Sequence, residues 1–150
     1  MLKARPVYQY YAQQPDQGYR YFYSLDKDVK EGWTLDENYN EAIAFYAFKH
    51  KLPGTVPVYQ YYYQQKEGGV RYFYSTDRNV EACWTLDENY KDGIAFYACD
   101  KEILGTEPIY QYYYQQEAGD FRHFYSKDPN ANHGWTLDKE YKDAIAFYAF

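Results

Sequence analysis

The sequence predicts an all-β fold made of three equivalent units. Three observations carry that expectation. The pentapeptide Ile43-Ala44-Phe45-Tyr46-Ala47 returns at Ile94–Ala98 and at Ile145–Ala149. Tyr8, Tyr59 and Tyr110 stand 51 residues apart, as do Trp33, Trp84 and Trp135, and Arg20, Arg71 and Arg122, so no copy has gained or lost a residue. Aromatic residues make up 23% of the chain, most of them tyrosines, a composition that favours strands and can fill a core if the hydroxyls find partners.

The units run over 6–48, 57–99 and 108–150. Each opens with a dense run of β-formers, in the first unit Pro6-Val7-Tyr8-Gln9-Tyr10-Tyr11. Strand alternation puts Val7, Tyr11 and Gln13 on one face and Tyr8, Tyr10 and Gln14 on the other. A polar turn follows, Pro15-Asp16-Gln17-Gly18 in the first unit, and then the run Tyr19-Arg20-Tyr21-Phe22-Tyr23-Ser24; strand, Gly turn, strand is a hairpin signal. Trp33-Thr34-Leu35-Asp36 reads as a third short strand or turn. The segment from Asp36 to Glu41 suits one helical turn, because Asp and Asn favour caps. The pentapeptide closes the unit as its fourth strand.

A lone unit of this size cannot bury its aromatic face. Three units around a pseudo-threefold axis can share one core. Each pentapeptide then meets its two equivalents near the axis, with Ile43, Phe45 and Ala47 pointing one way and Ala44 and Tyr46 the other. The leading architecture is a β-trefoil over residues 1–150. The alternatives are three propeller blades completed by oligomerisation, and a β-prism.

A net charge of −6 offers no basic footprint for phosphates, which argues against nucleic acid as a partner. No run approaches the ~18 apolar residues of a membrane span. The N-terminal MLKARPVYQ has no apolar core of a signal peptide, so the expectation is a cytosolic protein or an excised module of a secreted one. Cys83 stands where the other units have Gly32 and Gly134, and Cys99 where they have Phe48 and Phe150. They read as two free thiols filling small apolar space, with a bridge as the alternative.

No catalytic constellation, cofactor loop or metal-ligand spacing is visible, so the expectation is a protein that is not an enzyme. His50, His123 and His133 read as surface or rim residues. Asp26-Lys27-Asp28, Asp77-Arg78-Asn79 and Asp128-Pro129-Asn130 resemble the start of a calcium loop, but the Gly such a loop needs at its sixth position is missing. An Asx-type turn is the simpler reading. Arg20, Arg71 and Arg122 read as structural, stacked on Tyr or paired with a repeated Asp. The pairs Gln13-Gln14, Gln64-Gln65 and Gln115-Gln116 read as solvated hairpin tips or as the edge of a symmetric site.

Trp33, Trp84 and Trp135 occur once per unit. Each either plugs the core of its own unit or forms a platform for the C–H face of a pyranose. On the second reading Asp26, Asp36, Asn38 and Tyr39 bind hydroxyls beside Trp33. Asp77, Asp87 and Asn89 do so beside Trp84, and Asp128 and Asp138 beside Trp135. Glu140 takes the place of the Asn in the third unit.

Arg122-His123-Phe124-Tyr125-Ser126, Gly134-Trp135 and Ile145 through Ala149 together resemble a family of tandem aromatic repeats of unknown function. Those repeats occur as accessory modules in secreted bacterial and fungal proteins, often beside hydrolases. The resemblance implies a β-trefoil-like module that binds carbohydrate or surfaces. Tyr21 and Tyr72 depart from the family's His. The expected function is therefore a non-enzymatic lectin with up to three equivalent sites for glycans or glycoconjugates, acting by avidity. The alternative is a protein-interaction module, such as a protease inhibitor or toxin-targeting domain, that uses the loops where the units diverge: 15–18, 66–69 and 117–120, with 29–31 and 131–133. A third reading is a structural protein whose Tyr-rich surface self-assembles.

Overall fold

A computed structural model describes residues 3–13, 19–28, 32–65, 70–80, 83–115, 121–131 and 134–150. The hairpin turns, the stretches 29–31 and 132–133, Gln14, Gln116 and His133 lie outside the described residues.

Each repeat contributes four strands. They are β1 (Arg5–Gln13), β2 (Tyr19–Ser24), β3 (Thr34–Leu35) and β4 (Ile43–Ala47) in the first. The second has β5 (Val56–Gln64), β6 (Val70–Ser75), β7 (Thr85–Leu86) and β8 (Ile94–Ala98). The third has β9 (Glu107–Gln115), β10 (Phe121–Ser126), β11 (Thr136–Leu137) and β12 (Ile145–Ala149). No α-helix occurs among the described residues. The strands form three antiparallel sheets of four, one per repeat.

The first strand of each repeat is the spine of its sheet. β2 lies along one edge of β1, from Tyr8 opposite Ser24 to Gln13 opposite Tyr19. Along the other edge β3 pairs Tyr10 and Tyr11, and β4 pairs the N-terminal half. A spine strand is covered on both faces, so Val7 and Gln9 on one side and Tyr10 and Ala12 on the other are all buried. The side chains alternate as expected, but alternation does not separate core from solvent here. A bulge between Val7 and Tyr8 shifts the β1–β4 register, and the second repeat repeats it between Val58 and Tyr59.

The helical turn expected from Asp36 to Glu41 is a single turn at Asn40–Ala42, and its hand is left, not right. Asn40, Glu41 and Ala42 have φ of 47, 56 and 72°. The same turn recurs at Lys91–Gly93 and Lys142–Ala144. It closes through Ala42 N–H donating to Tyr39 O at 2.7 Å, with Gly93 and Ala144 donating likewise to Tyr90 and Tyr141. Left-handed backbone costs an L-residue roughly 1–2 kcal/mol. The tyrosine just before each turn reaches a serine of a neighbouring repeat, a contact that offsets this cost.

Two aromatic layers lie on the axis. Phe45, Phe96 and Phe147, the centres of the three pentapeptides, meet with ring centroids 5.5, 5.5 and 5.7 Å apart. Each is buried, worth roughly 1.5–3 kcal/mol of hydrophobic stabilisation. Tyr23, Tyr74 and Tyr125 form the second layer, edge to face with centroids 5.5 Å apart. Their hydroxyls are buried and must find partners. Tyr23 N–H donates to the Tyr74 hydroxyl, Tyr74 N–H to that of Tyr125, and Tyr125 N–H to that of Tyr23, each at 2.9 Å. The ring is closed through all three repeats. Tyr23 in turn donates its proton to Gln9 Oε1 at 2.9 Å.

Backbone bonds close a second ring. Phe48 and Tyr97 exchange N–H···O bonds, as do Cys99 and Tyr148, and Phe150 and Tyr46. The units therefore close on one another within one chain. Cys83 is exposed and Cys99 buried, and both thiols are free.

Candidate functional site

Each tryptophan stands at a seam between repeats. Trp33 packs on Phe22 of its own unit at 5.5 Å and on Tyr72 of the next at 5.7 Å. Trp84 packs on Phe73 at 5.3 Å and on His123 of the third repeat at 5.5 Å. Trp135 packs on Phe124 and on Tyr21 of the first repeat, both at 5.7 Å. All three are half-buried. They are neither interior plugs of one unit nor free platforms: one part joins the aromatic seam and the rest stays accessible.

The left-handed turns finish each seam. Tyr90 shares a hydrogen bond of 2.6 Å with Ser24, Tyr141 one of 2.6 Å with Ser75, and Tyr39 one with Ser126. Tyr90 and Tyr141 are pushed up to about 12, chiefly by burial, so these hydroxyls stay protonated. Lys91 bridges Asp26 at 3.1 Å and Lys142 bridges Asp77 at 3.0 Å, again across the seams. The first repeat has Asn40 at this position, so Asp128 has no equivalent lysine opposite it.

The acidic residues expected beside each Trp divide into two sets. Asp36, Asp87 and Asp138 are half-buried and accept from Gln9, Gln60 and Gln111 Nε2 at 2.9, 2.9 and 3.0 Å. Burial raises the Asp138 carboxyl and Glu140 raises it further, while the Gln111 bond opposes them. Asp26, Asp77 and Asp128 are exposed, and their backbone N–H groups donate to Ser24, Ser75 and Ser126 Oγ at 3.0 Å. Asp128 Oδ1 accepts from Asn130 N–H at 2.8 Å, which is an Asx turn. Among the described residues no group of three His, Cys, Asp or Glu side chains could hold a metal ion. Asn38 and Asn89 are exposed.

A cavity of about 710 Å³ opens at the seam of the second and third repeats. The second repeat supplies Trp84, Asp77, Asn79 and Phe73, and the third supplies Asp138, Glu140, Tyr113 and His123. The expected grouping of Trp and acids within one unit is thus replaced by a grouping across two. Trp84 and Asp77 face Asp138 and not Asp87. Each wall carries both aromatic rings and carboxylates, which suits a ligand with apolar C–H faces and hydroxyl donors.

His123 corrects the sequence reading. It was expected at the surface or rim, yet it is only 8% exposed and lines this cavity. It lies 4.9 Å from Phe73 and 5.5 Å from Trp84. Burial, reinforced by the Arg71 charge, pushes its pKa down to about 3, so the imidazole is neutral at ordinary pH. The signal was available: it is the single departure from Tyr21 and Tyr72 in that strand position. Arg71 and Arg122 stack on tyrosines as expected, over Tyr63 at 5.9 Å and Tyr114 at 5.4 Å, whereas Arg20 lies over Trp33 at 5.1 Å.

Residues 6–150 match the model of a family described as a domain of unknown function, DUF5648. No curated protein matches the chain. No solved structure matches it either.

Proposed function

The chain belongs to the DUF5648 family, and from the geometry of its seams we propose that it is a non-enzymatic carbohydrate-binding protein. The observation that carries the reading is the cavity lined by both Trp84 and Tyr113 and by Asp77, Asp138 and Glu140. A pyranose presents C–H bonds on its faces and hydroxyls around its edge. Trp and Tyr rings suit the faces, and carboxylates suit the hydroxyls. A strained turn and an inter-repeat Tyr–Ser bond hold each wall, which favours a site formed before the ligand arrives.

The scaffold of the proposal is a β-trefoil, a single domain of three units whose axis is the Tyr23–Tyr74–Tyr125 ring. Equivalent aromatic contacts at Trp33 with Tyr72 and at Trp135 with Tyr21 support two further sites of the same kind. Fixed on one rigid body, such sites engage a glycan-rich surface by avidity. A module of that kind suits a longer secreted protein that meets polysaccharide.

A glycan-array screen of the purified protein, run with and without calcium, tests the reading. The expected result is binding to a defined class of glycans, independent of calcium and lost in a folded Trp84→Ala variant. A blank array from folded protein overturns it.

A further inference from the structure

The three seams are not chemically equal. The second strand of each repeat presents to the seams Tyr72 between repeats one and two, Tyr21 between three and one, and His123 between two and three. A phenol is longer than an imidazole and ends in a hydroxyl that is both donor and acceptor. The imidazole stops short, and its Nδ1 is buried with no hydrogen-bond partner among the described residues. Gln111, another residue lining the cavity, has a buried Oε1 without a partner, as does its equivalent Gln60 in the second repeat. A buried polar nitrogen without a partner is disfavoured, and a hydroxyl entering the cavity would satisfy it.

The rest of the wall restricts what enters. Asp77, Asp138 and Glu140 line the cavity, and Glu140 stands where the other seams have the neutral Asn38 and Asn89. Lys142 offsets Asp77. Arg71 lies close enough to His123 to disfavour its protonation. An acidic sugar would bring its carboxylate against three others. A neutral sugar brings hydroxyl donors to the carboxylates and to a neutral imidazole.

Resting on the sugar-binding reading, we propose that the seam between the second and third repeats is the principal site, that it takes a neutral hexopyranose unit, and that His123 accepts a hydrogen bond from one of that sugar's hydroxyls. His123 is then the specificity-determining residue that separates this seam from its two relatives. In the other two, Tyr21 and Tyr72 stand at the equivalent position.

The test uses the full chain labelled with 15N-histidine. Cellotetraose, mannotetraose and galactotetraose are the neutral probes, and tetragalacturonate is the acidic one. The expected result is that at least one neutral probe shifts the His123 Nδ1 resonance at pH 7 while tetragalacturonate does not. His123→Tyr, which installs the residue of the other seams, should weaken that probe roughly tenfold or more, as loss of a buried hydrogen bond and of space implies. His123→Asn keeps an acceptor in a smaller side chain and should retain more affinity than His123→Tyr. A neutral probe that binds with the His123 resonance unmoved and His123→Tyr unaffected overturns this inference alone. Failure of folded wild-type protein to bind any neutral tetrasaccharide overturns it together with the sugar-binding reading.

Discussion

Trp84 and His123 meet with ring centroids 5.5 Å apart, one from the second repeat and one from the third. The contact joins a half-buried tryptophan of one unit to a buried imidazole of the next. It follows that changes at one residue are felt by the wall of the other. Trp84→Ala removes contacts with Phe73 and Tyr63 as well. Because Trp84 is only half-buried, the loss of stability should be roughly 2 kcal/mol, below the ~3–5 of a fully buried aromatic. Urea unfolding measures it. A loss near zero would mean that Trp84 is not packed at the seam.

The tyrosine ring on the axis gives a sharper expectation. Tyr74→Phe keeps the ring and deletes the acceptor of Tyr23 N–H. That amide is then buried and unpaired, which costs about 1–3 kcal/mol. Tyr46→Phe removes a hydroxyl from an exposed residue and should change stability by less than ~0.5 kcal/mol. Equal effects of the two substitutions would contradict the hydrogen-bonded ring.

His123 makes stability depend on acid. Its folded pKa of about 3 lies below the ordinary imidazole value of ~6.5. The unfolded chain takes up a proton on falling through 6.5, and the folded chain does not until about 3. The contribution is therefore complete above ~6.5 and declines as pH falls, by up to ~1.4 kcal/mol per unit. Asp77, Asp138 and Glu140 line the same cavity, and the Arg71 charge acts on His123, with all four residues present in both proteins. Between pH 7 and 5 the wild type should lose roughly 2 kcal/mol more than His123→Tyr. Parallel losses would mean that His123 is not buried and neutral.

Alkali acts with the opposite sign. Tyr10, Tyr90 and Tyr141 are pushed up to about 12 by burial, and Tyr23, Tyr74 and Tyr125 well above the usual phenol value. Their contribution is present below ~10, the unfolded value, and is lost as pH rises through the folded values. A phenolate absorbance titration of the folded protein should show these groups appearing only with unfolding, in one cooperative step. A smooth titration of all 23 tyrosines near pH 10 would contradict their burial.

The two thiols differ in reach. Cys83 is exposed, whereas Cys99 is buried and its thiol is raised by burial. An aromatic disulfide reagent should modify one thiol per folded chain, and a second only in denaturant. Rapid reaction of both would place Cys99 at the surface.

Much of this fold was legible because the repeats are strict. The even spacing of Tyr8, Tyr59 and Tyr110 announced three units, and the pentapeptide announced strands that meet on the axis. Strand positions followed from β-branched and aromatic runs. Handedness of the Asn40–Ala42 turn did not, because Glu41 and Ala42 are ordinary in right-handed turns and only tertiary packing of Tyr39 selects the left-handed form. The site was legible by residue type but not by grouping. Trp84 and Asp77 were both visible, yet their partner across the cavity is Asp138, 51 residues beyond Asp87. Nothing local in a repeat records which neighbour it will face. His123 was read as peripheral because burial of a lone histidine depends on a seam that exists only after the repeats close.

The most direct measurement of the central claim, that sugar binds at the seams, is an 15N–1H spectrum of the three tryptophan indoles during titration with the array-positive oligosaccharide. Trp33, Trp84 and Trp135 provide one reporter for each repeat. The account predicts that the Trp84 indole moves first, together with backbone amides of Asp138 and Tyr141 in the following repeat. Shifts confined to one repeat, or binding that moves no indole, would contradict it.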